Sequence, residues 1–182
     1  MHFTSEQEAI ESRQLGFSLR ENVIPLSVVT EPKGDPELFV REFPMLSGRG
    51  VLLYLARLDP VKNLESLLVA FAQVSSQHPE LCLLICGTGD QEYVKTLKNL
   101  AKRLKLDDVV VWAGAVHGAN KSGAFAVAQV YILPSLSENF GIAVVEAMAA
   151  SKPVIVSNGV PMHELIVQAG AGWAVSPEPQ SI

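Results

Sequence analysis

Between residues 51 and 175 the chain repeats one unit: an apolar run of four to six residues, a polar or glycine-bearing loop, then a segment of helical composition. The apolar runs are VLLYL at 51–55, LCLLI at 81–85, VVVW at 109–112, VYIL at 130–133, PVIV at 153–156 and GWAV at 172–175. Helices are predicted at 64–77, 91–104, 122–128, 141–150 and 162–168. A strand with one wet face alternates apolar with polar residues. Continuous apolar runs require burial on both faces, and so predict a parallel sheet covered by helices on each side. This is the α/β class, a doubly wound, Rossmann-like parallel sheet.

The first 50 residues read differently. Phe3-Thr4-Ser5 and the following EQEAIESRQLGF suggest the end of a strand and a short helix. From Asn22 to Gly50 the prolines 25, 32, 36 and 44, with Gly34, predict an extended connector holding at most a short strand at Val23-Ile24 or Val28-Val29. A helix and a connector with no core of their own predict a remnant of a preceding domain and a linker over 1–50, and one sheet domain over 51–182.

Composition narrows the function classes. With 48% hydrophobic and 18% charged residues the chain is globular, and no apolar run reaches the roughly 18 residues of a membrane span. A net charge of −5 argues against a broad nucleic-acid surface, so any phosphate site must be small and focused. Cys82 and Cys86 share a face of one apolar run and lack metal-ligand companions, which suits reduced core thiols of a cytoplasmic protein. The four His are scattered, so the sequence predicts no zinc site. The N-terminal MHFTSEQEAIES lacks the basic start and apolar core of a secretory signal.

In doubly wound sheets, ligands sit outside the carboxyl ends of the strands. The loops expected there carry Arg57, Asp59 and Lys62; Gly87-Thr88-Gly89-Asp90; Gly114 to His117, then Lys121; Ser135 to Gly141; and Ser157-Asn158-Gly159. Glu138 and Glu146 stand out, with seven residues between them around Phe140-Gly141. Glu146 is the lone charge of a segment that is otherwise Ile, Ala, Val and Met, and an unpaired buried carboxylate costs several kcal/mol. A bound polyol, neighbouring backbone or a loop hydroxyl would each satisfy it. Glu138 could equally cap a helix start, and Arg57 and Lys62 could simply pair with Asp59 and Glu65. At the predicted helix entrance, free amides and Gly141 would admit an anion. Neither a Walker lysine motif nor Gly-x-Gly-x-x-Gly occurs at the first strand turn, so ATP hydrolysis and ordinary dinucleotide binding lose support.

The segments ARLDPVKN, LLICGTGD, VVWAGAV, ILPSLSENFGIAVVEAMAASKPVIVSN and GAGWAV together resemble the donor-binding, C-terminal half of retaining GT-B glycosyltransferases of family four. The resemblance runs from about Val51 to Val175. In the hinge this chain has Ile24-Pro25-Leu26-Ser27-Val28, where family members commonly show Ile-Pro-Asn-Gly-Val. By resemblance, Arg57 and Lys62 are the basic pair on the donor diphosphate, Glu146 accepts from the ribose hydroxyls and Glu138 lies near the transferred sugar. The amides around Asn139, Phe140 and Gly141 would hold sugar or phosphate oxygens, Gly87 and Gly89 would border the pyrophosphate, and Val116 with Lys121 would meet the base.

The resemblance implies a nucleoside diphosphate sugar as substrate, no cofactor and no metal. It also implies an acceptor site on an N-terminal domain absent from these 182 residues, a truncated C-terminal end, and membrane association, if any, through the absent half. The expected location is cytoplasmic or peripheral at the inner face of the membrane. Alone, the chain is expected to bind donor without turnover. A sugar-nucleotide epimerase on the same two-domain plan, or a non-catalytic binding module with a relic pocket, would share this rim.

Overall fold

The computed structural model describes residues 2–16, 20–24, 26–28 and 34–182. The central sheet contains β3 (Gly50–Leu55), β4 (Leu81–Cys86), β5 (Val110–Gly114), β6 (Val130–Leu133), β7 (Val154–Ser157) and β8 (Gly172–Val175). Preceding it are a short parallel pair, β1 (His2–Phe3) and β2 (Asn22–Val23), and the helix α1 (Glu6–Gln14). Between the sheet strands run α3 (Leu64–Gln77), α4 (Gln91–Arg103), α5 (Gly118–Val127), α6 (Ile142–Ala149) and α7 (His163–Gln168).

All six main strands are parallel, in the order β5-β4-β3-β6-β7-β8. The chain therefore winds outward from β3 in one direction, returns to the centre at β6, and winds outward the other way. Leu53, Leu83, Leu84, Tyr131, Val154 and Val156 are fully buried in this sheet, as continuous apolar runs require. At the far edge, Trp173 of β8 stays 58% exposed.

Residues 34–50 depart from the extended connector that their prolines suggested. A helix, α2 (Pro36–Glu42), begins where Asp35 accepts hydrogen bonds from the amides of Glu37 (2.9 Å) and Leu38 (3.1 Å). Pro36 occupies the first helical turn, where its missing N–H costs nothing and its fixed φ favours the helix. Proline spacing alone reads as a break; read with the Asp before it, the same residue is a helix start. The ring of Phe39 packs against Gly123 of α5, and Phe39 and Leu46 join the core of the sheet. The expected strand at Val28-Val29 extends onto residue 29, outside the described residues, while β2 lies one residue earlier than Val23-Ile24.

A second departure bears on the site. The helix predicted from Ser122 begins at Gly118, because the polar GANK turn lacks the apolar spacing that marks a buried helix face yet still continues α5. Lys121 therefore projects from a helix rather than a loop. Among the described residues no helix is long and apolar enough to cross a membrane.

Cys82 and Cys86 are free and fully buried in β4, and burial pushes their thiols up to about 11 and about 12 respectively. Both are therefore protonated and unreactive at neutral pH. A thiol-reactive disulfide dye should label neither cysteine of the native chain over minutes at pH 7.5 and both once the chain is unfolded in guanidinium. Prompt labelling of the native chain would contradict the packing of β4.

Candidate functional site

The site begins where β3 and β6, neighbours at the sheet centre, send their loops apart. After Leu55 the chain passes Ala56 and Arg57 to Asp59, whose side chain accepts from the amide of Val61 (3.1 Å) and caps a single 3-10 turn, Pro60–Lys62. Asn63 follows in the left-handed conformation (φ 57°), which Asn tolerates better than most residues. It is buried, and its amide nitrogen donates to the carbonyls of Pro134 (3.1 Å) and Pro177 (2.8 Å). Leu136 donates its amide to Val61 (2.8 Å). These bonds tie the loop after β3 to the loop after β6, and so fix Lys62 against the segment that carries Glu138.

Glu138 is held from several sides. Ser135, fully buried, donates its hydroxyl to Glu138 Oε1 (3.0 Å), Lys62 Nζ donates to the same oxygen, and the Glu138 amide donates to Gly159 (3.0 Å). Ser157, also fully buried, donates its hydroxyl to the carbonyl of Ser135. With Lys62 16% and Glu138 11% exposed, the pair is shielded enough for its attraction to exceed that of a surface pair.

Gly141 (φ 82°) caps α6, and no side chain caps that terminus. Val144 donates to Gly141 (2.9 Å), so the first-turn amides of Ile142 and Ala143 keep the outward orientation of orphan donors at a helix start. Ile142, Ala143 and Glu146 share one face of α6, at spacings of three and four. Glu146 receives Lys121 Nζ at 2.5 Å on its Oε1. This compensates the charge in its apolar surroundings; the partner, a lysine from α5, is one that the sequence did not suggest. Arg57 is 70% exposed and lies 3.3 Å from Asp59. Lys62 does not use Glu65, which accepts the hydroxyl of Tyr93 (2.7 Å).

Together these groups surround one cleft of about 360 Å³, lined by Arg57, Lys62, Lys121, Glu138, Gly141, Ile142, Ala143 and Glu146, with Leu55, Ala56, Tyr131 and Leu133. Tyr131 donates its hydroxyl to the Leu55 carbonyl (3.1 Å), and burial holds that phenol well above its ordinary range, so it serves as a neutral donor. The lining charges are three cations against two carboxylates, a local excess of positive charge in a chain of net charge −5. The cleft lies outside the carboxyl ends of β3 and β6, at the point where strand order reverses.

Five of the predicted residues are not among those lining it. Gly87 and Gly89 are needed for close chain approach: a Cβ on Gly87 would lie 1.9 Å from the Ala56 carbonyl oxygen, and one on Gly89 1.9 Å from that of Leu58. The amide of Gly87 already donates to Gly114 (2.7 Å), so it has no free N–H for a phosphate. Val116 packs half-buried against the core, Asn139 is exposed, and Phe140 is half-buried before the helix starts. The outward amides belong to Ile142 and Ala143, just beyond the Asn139–Gly141 stretch that the sequence suggested. Asn63 was missed, though it directly follows Lys62, and Ser135 and Ser157 were placed on the rim without the bracing role they have there.

Residues 37–182 match the family described as Glycosyl transferases group 1. The chain belongs to that family. It is 33% identical over 146 residues to an uncharacterized glycosyltransferase of Methanocaldococcus jannaschii, covering 79% of this chain and 36% of that one. It is 32% identical over 151 residues to the phosphatidyl-myo-inositol mannosyltransferase of Mycolicibacterium smegmatis, covering 79% and 38%. Its fold matches Anabaena HepE, solved in complex with UDP and glucose, with a TM-score of 0.86 at 23% identity over 98% of this chain and 50% of that one. The chain thus spans little more than a third of these curated relatives. The sheet described above is the Rossmann-like half of a GT-B fold.

For Gly87 (φ 148°), the backbone fit predicts that Gly87→Ala lowers the unfolding free energy by about 3 kcal/mol in a urea titration, with no ligand present. An unchanged midpoint would contradict the close approach of Gly87 to Ala56.

Proposed function

We propose that this chain is the donor-binding domain of a retaining, metal-independent glycosyltransferase that moves a sugar from a nucleoside diphosphate sugar to an acceptor. The observation that carries this reading is the convergence of Arg57, Lys62, the amides of Ile142 and Ala143, and the two glutamates on one cleft at the strand-order reversal. HepE, whose fold this chain shares, was solved with UDP and glucose, which supports a nucleotide-sugar ligand here.

Breaking the bond between sugar and diphosphate develops negative charge on the departing phosphate oxygens. Donors already aimed at that position stabilise it without reorganisation, an effect commonly worth about 3 kcal/mol per donor. Lys62 is pre-placed: its ammonium carries three donors, so it can keep Glu138 and still reach a phosphate oxygen. Arg57 is recruited: its exposed pair with Asp59 is worth at most about 1 kcal/mol, less than a charge-assisted bond to phosphate. The amides of Ile142 and Ala143 complete the anion site at the positive end of α6. Glu138, fixed by Ser135 and Lys62, is placed to orient sugar hydroxyls, and Glu146 to accept from the ribose.

The acceptor site belongs, on this reading, to a domain outside these 182 residues, so the chain alone binds donor without consuming it. Calorimetric titration with UDP, GDP and ADP should give saturable heat with at least one of them. Lys62→Met should weaken that diphosphate about tenfold while leaving the corresponding monophosphate nearly unchanged. Absence of heat from all three, or equal losses for diphosphate and monophosphate, would refute the assignment.

A further inference from the structure

The two cleft glutamates are held in the same way. Lys62 and Ser135 both donate to Oε1 of Glu138, and Lys121 donates to Oε1 of Glu146. In each carboxylate the second oxygen, Oε2, accepts from no donor among the described residues. Nor is it sealed away, because no side-chain oxygen among those residues is both buried and unpartnered. Each acid, on a residue that lines the cleft, is clamped by one oxygen and leaves the other accessible.

For Glu146 the clamp is a single residue. Lys121 lies on the first turns of α5 and Glu146 at the middle of α6, so the pair also fixes the distance between two helices on the cleft wall. Lys121 is the one side-chain donor to Glu146 among the described residues, and Glu146 is only 20% exposed, so losing that ammonium would leave the carboxylate uncompensated whatever else the lysine touches. We infer that Lys121 is a positioning residue: it holds Glu146 so that Oε2 faces the ribose hydroxyls, and thereby sets a preference for ribonucleoside over 2′-deoxyribonucleoside diphosphate donors.

This inference rests on the donor-site reading above and assigns Lys121 a role beyond contact with the base. A carboxylate oxygen that accepts from a hydroxyl binds a deoxy analogue more weakly, because the acceptor is left desolvated and unpaired. The preference depends on the carboxylate keeping its orientation. Without Lys121 the side chain of Glu146 gains rotamers, and its average geometry no longer distinguishes the two sugars.

The test compares UDP, GDP and ADP, each against its own 2′-deoxy form, on the wild-type chain, Lys121→Met, Lys121→Arg and Glu146→Gln, with thermal unfolding followed in parallel. For whichever base binds, the wild type should prefer the ribose form by about tenfold or more. Lys121→Met should bring that ratio within about twofold, Lys121→Arg should retain most of it, and Lys121→Met combined with Glu146→Gln should lose no more than either alone. A uniform loss on both nucleotides with the ratio intact would overturn the inference and return Lys121 to the base or phosphate. So would a ratio that Glu146→Gln abolishes while Lys121→Met preserves it. No binding of any nucleotide by the wild type would instead remove the donor site itself, and this inference with it.

Discussion

The pairing of β3 with β6 is the constraint on which the cleft depends. The two strands share only the register Leu52↔Val130 and Leu53↔Tyr131, and β6 ends at Leu133. Beyond it the neighbouring connections leave in opposite directions, since β4 lies on one side of β3 and β7 on the far side of β6. No helix connection fills the gap between them. The space is bounded by whatever the two loops carry, and the hydrogen bonds from Asn63 and Leu136 determine how far apart those loops stand.

Within that space the chemistry is governed by compensation of charge. A carboxylate among apolar neighbours is tolerated only if a partner offsets its desolvation. Glu138 and Glu146 each obtain a lysine from a different element, so the charges that define the pocket also brace its walls. The buried hydroxyls of Ser135 and Ser157 extend this bracing into the sheet, from β7 through the loop after β6 to the carboxylate. Arg57 stands outside the braced set.

The sequence disclosed what depends on local pattern. Continuous apolar runs announced the six main strands and their parallel pairing, and the strand-order rule placed Arg57, Lys62, Lys121, Glu138 and Glu146 on one rim. Long-range partnership was less legible. The match of Lys121 with Glu146 joins two helices through residues 25 positions apart, and no spacing rule predicts it. The close approach of the chain at the glycines after β4 was likewise not legible, because glycine also suits close approach of a ligand and the sequence does not tell the two apart. At α2 the prolines masked a helix because Pro breaks a helix interior yet favours its first turn.

The unequal exposure of the three cations has a consequence for the response of the cleft to its medium. Lys62 and Lys121 are 16% and 23% exposed and hold their glutamates behind protein, where mobile ions screen weakly, while Arg57 at 70% exposure feels the full ionic atmosphere. Ionic strength therefore acts as a dial on one arm of the site: salt loosens the guanidinium from Asp59 and from any anion alike, while the lysine braces keep the shape of the walls.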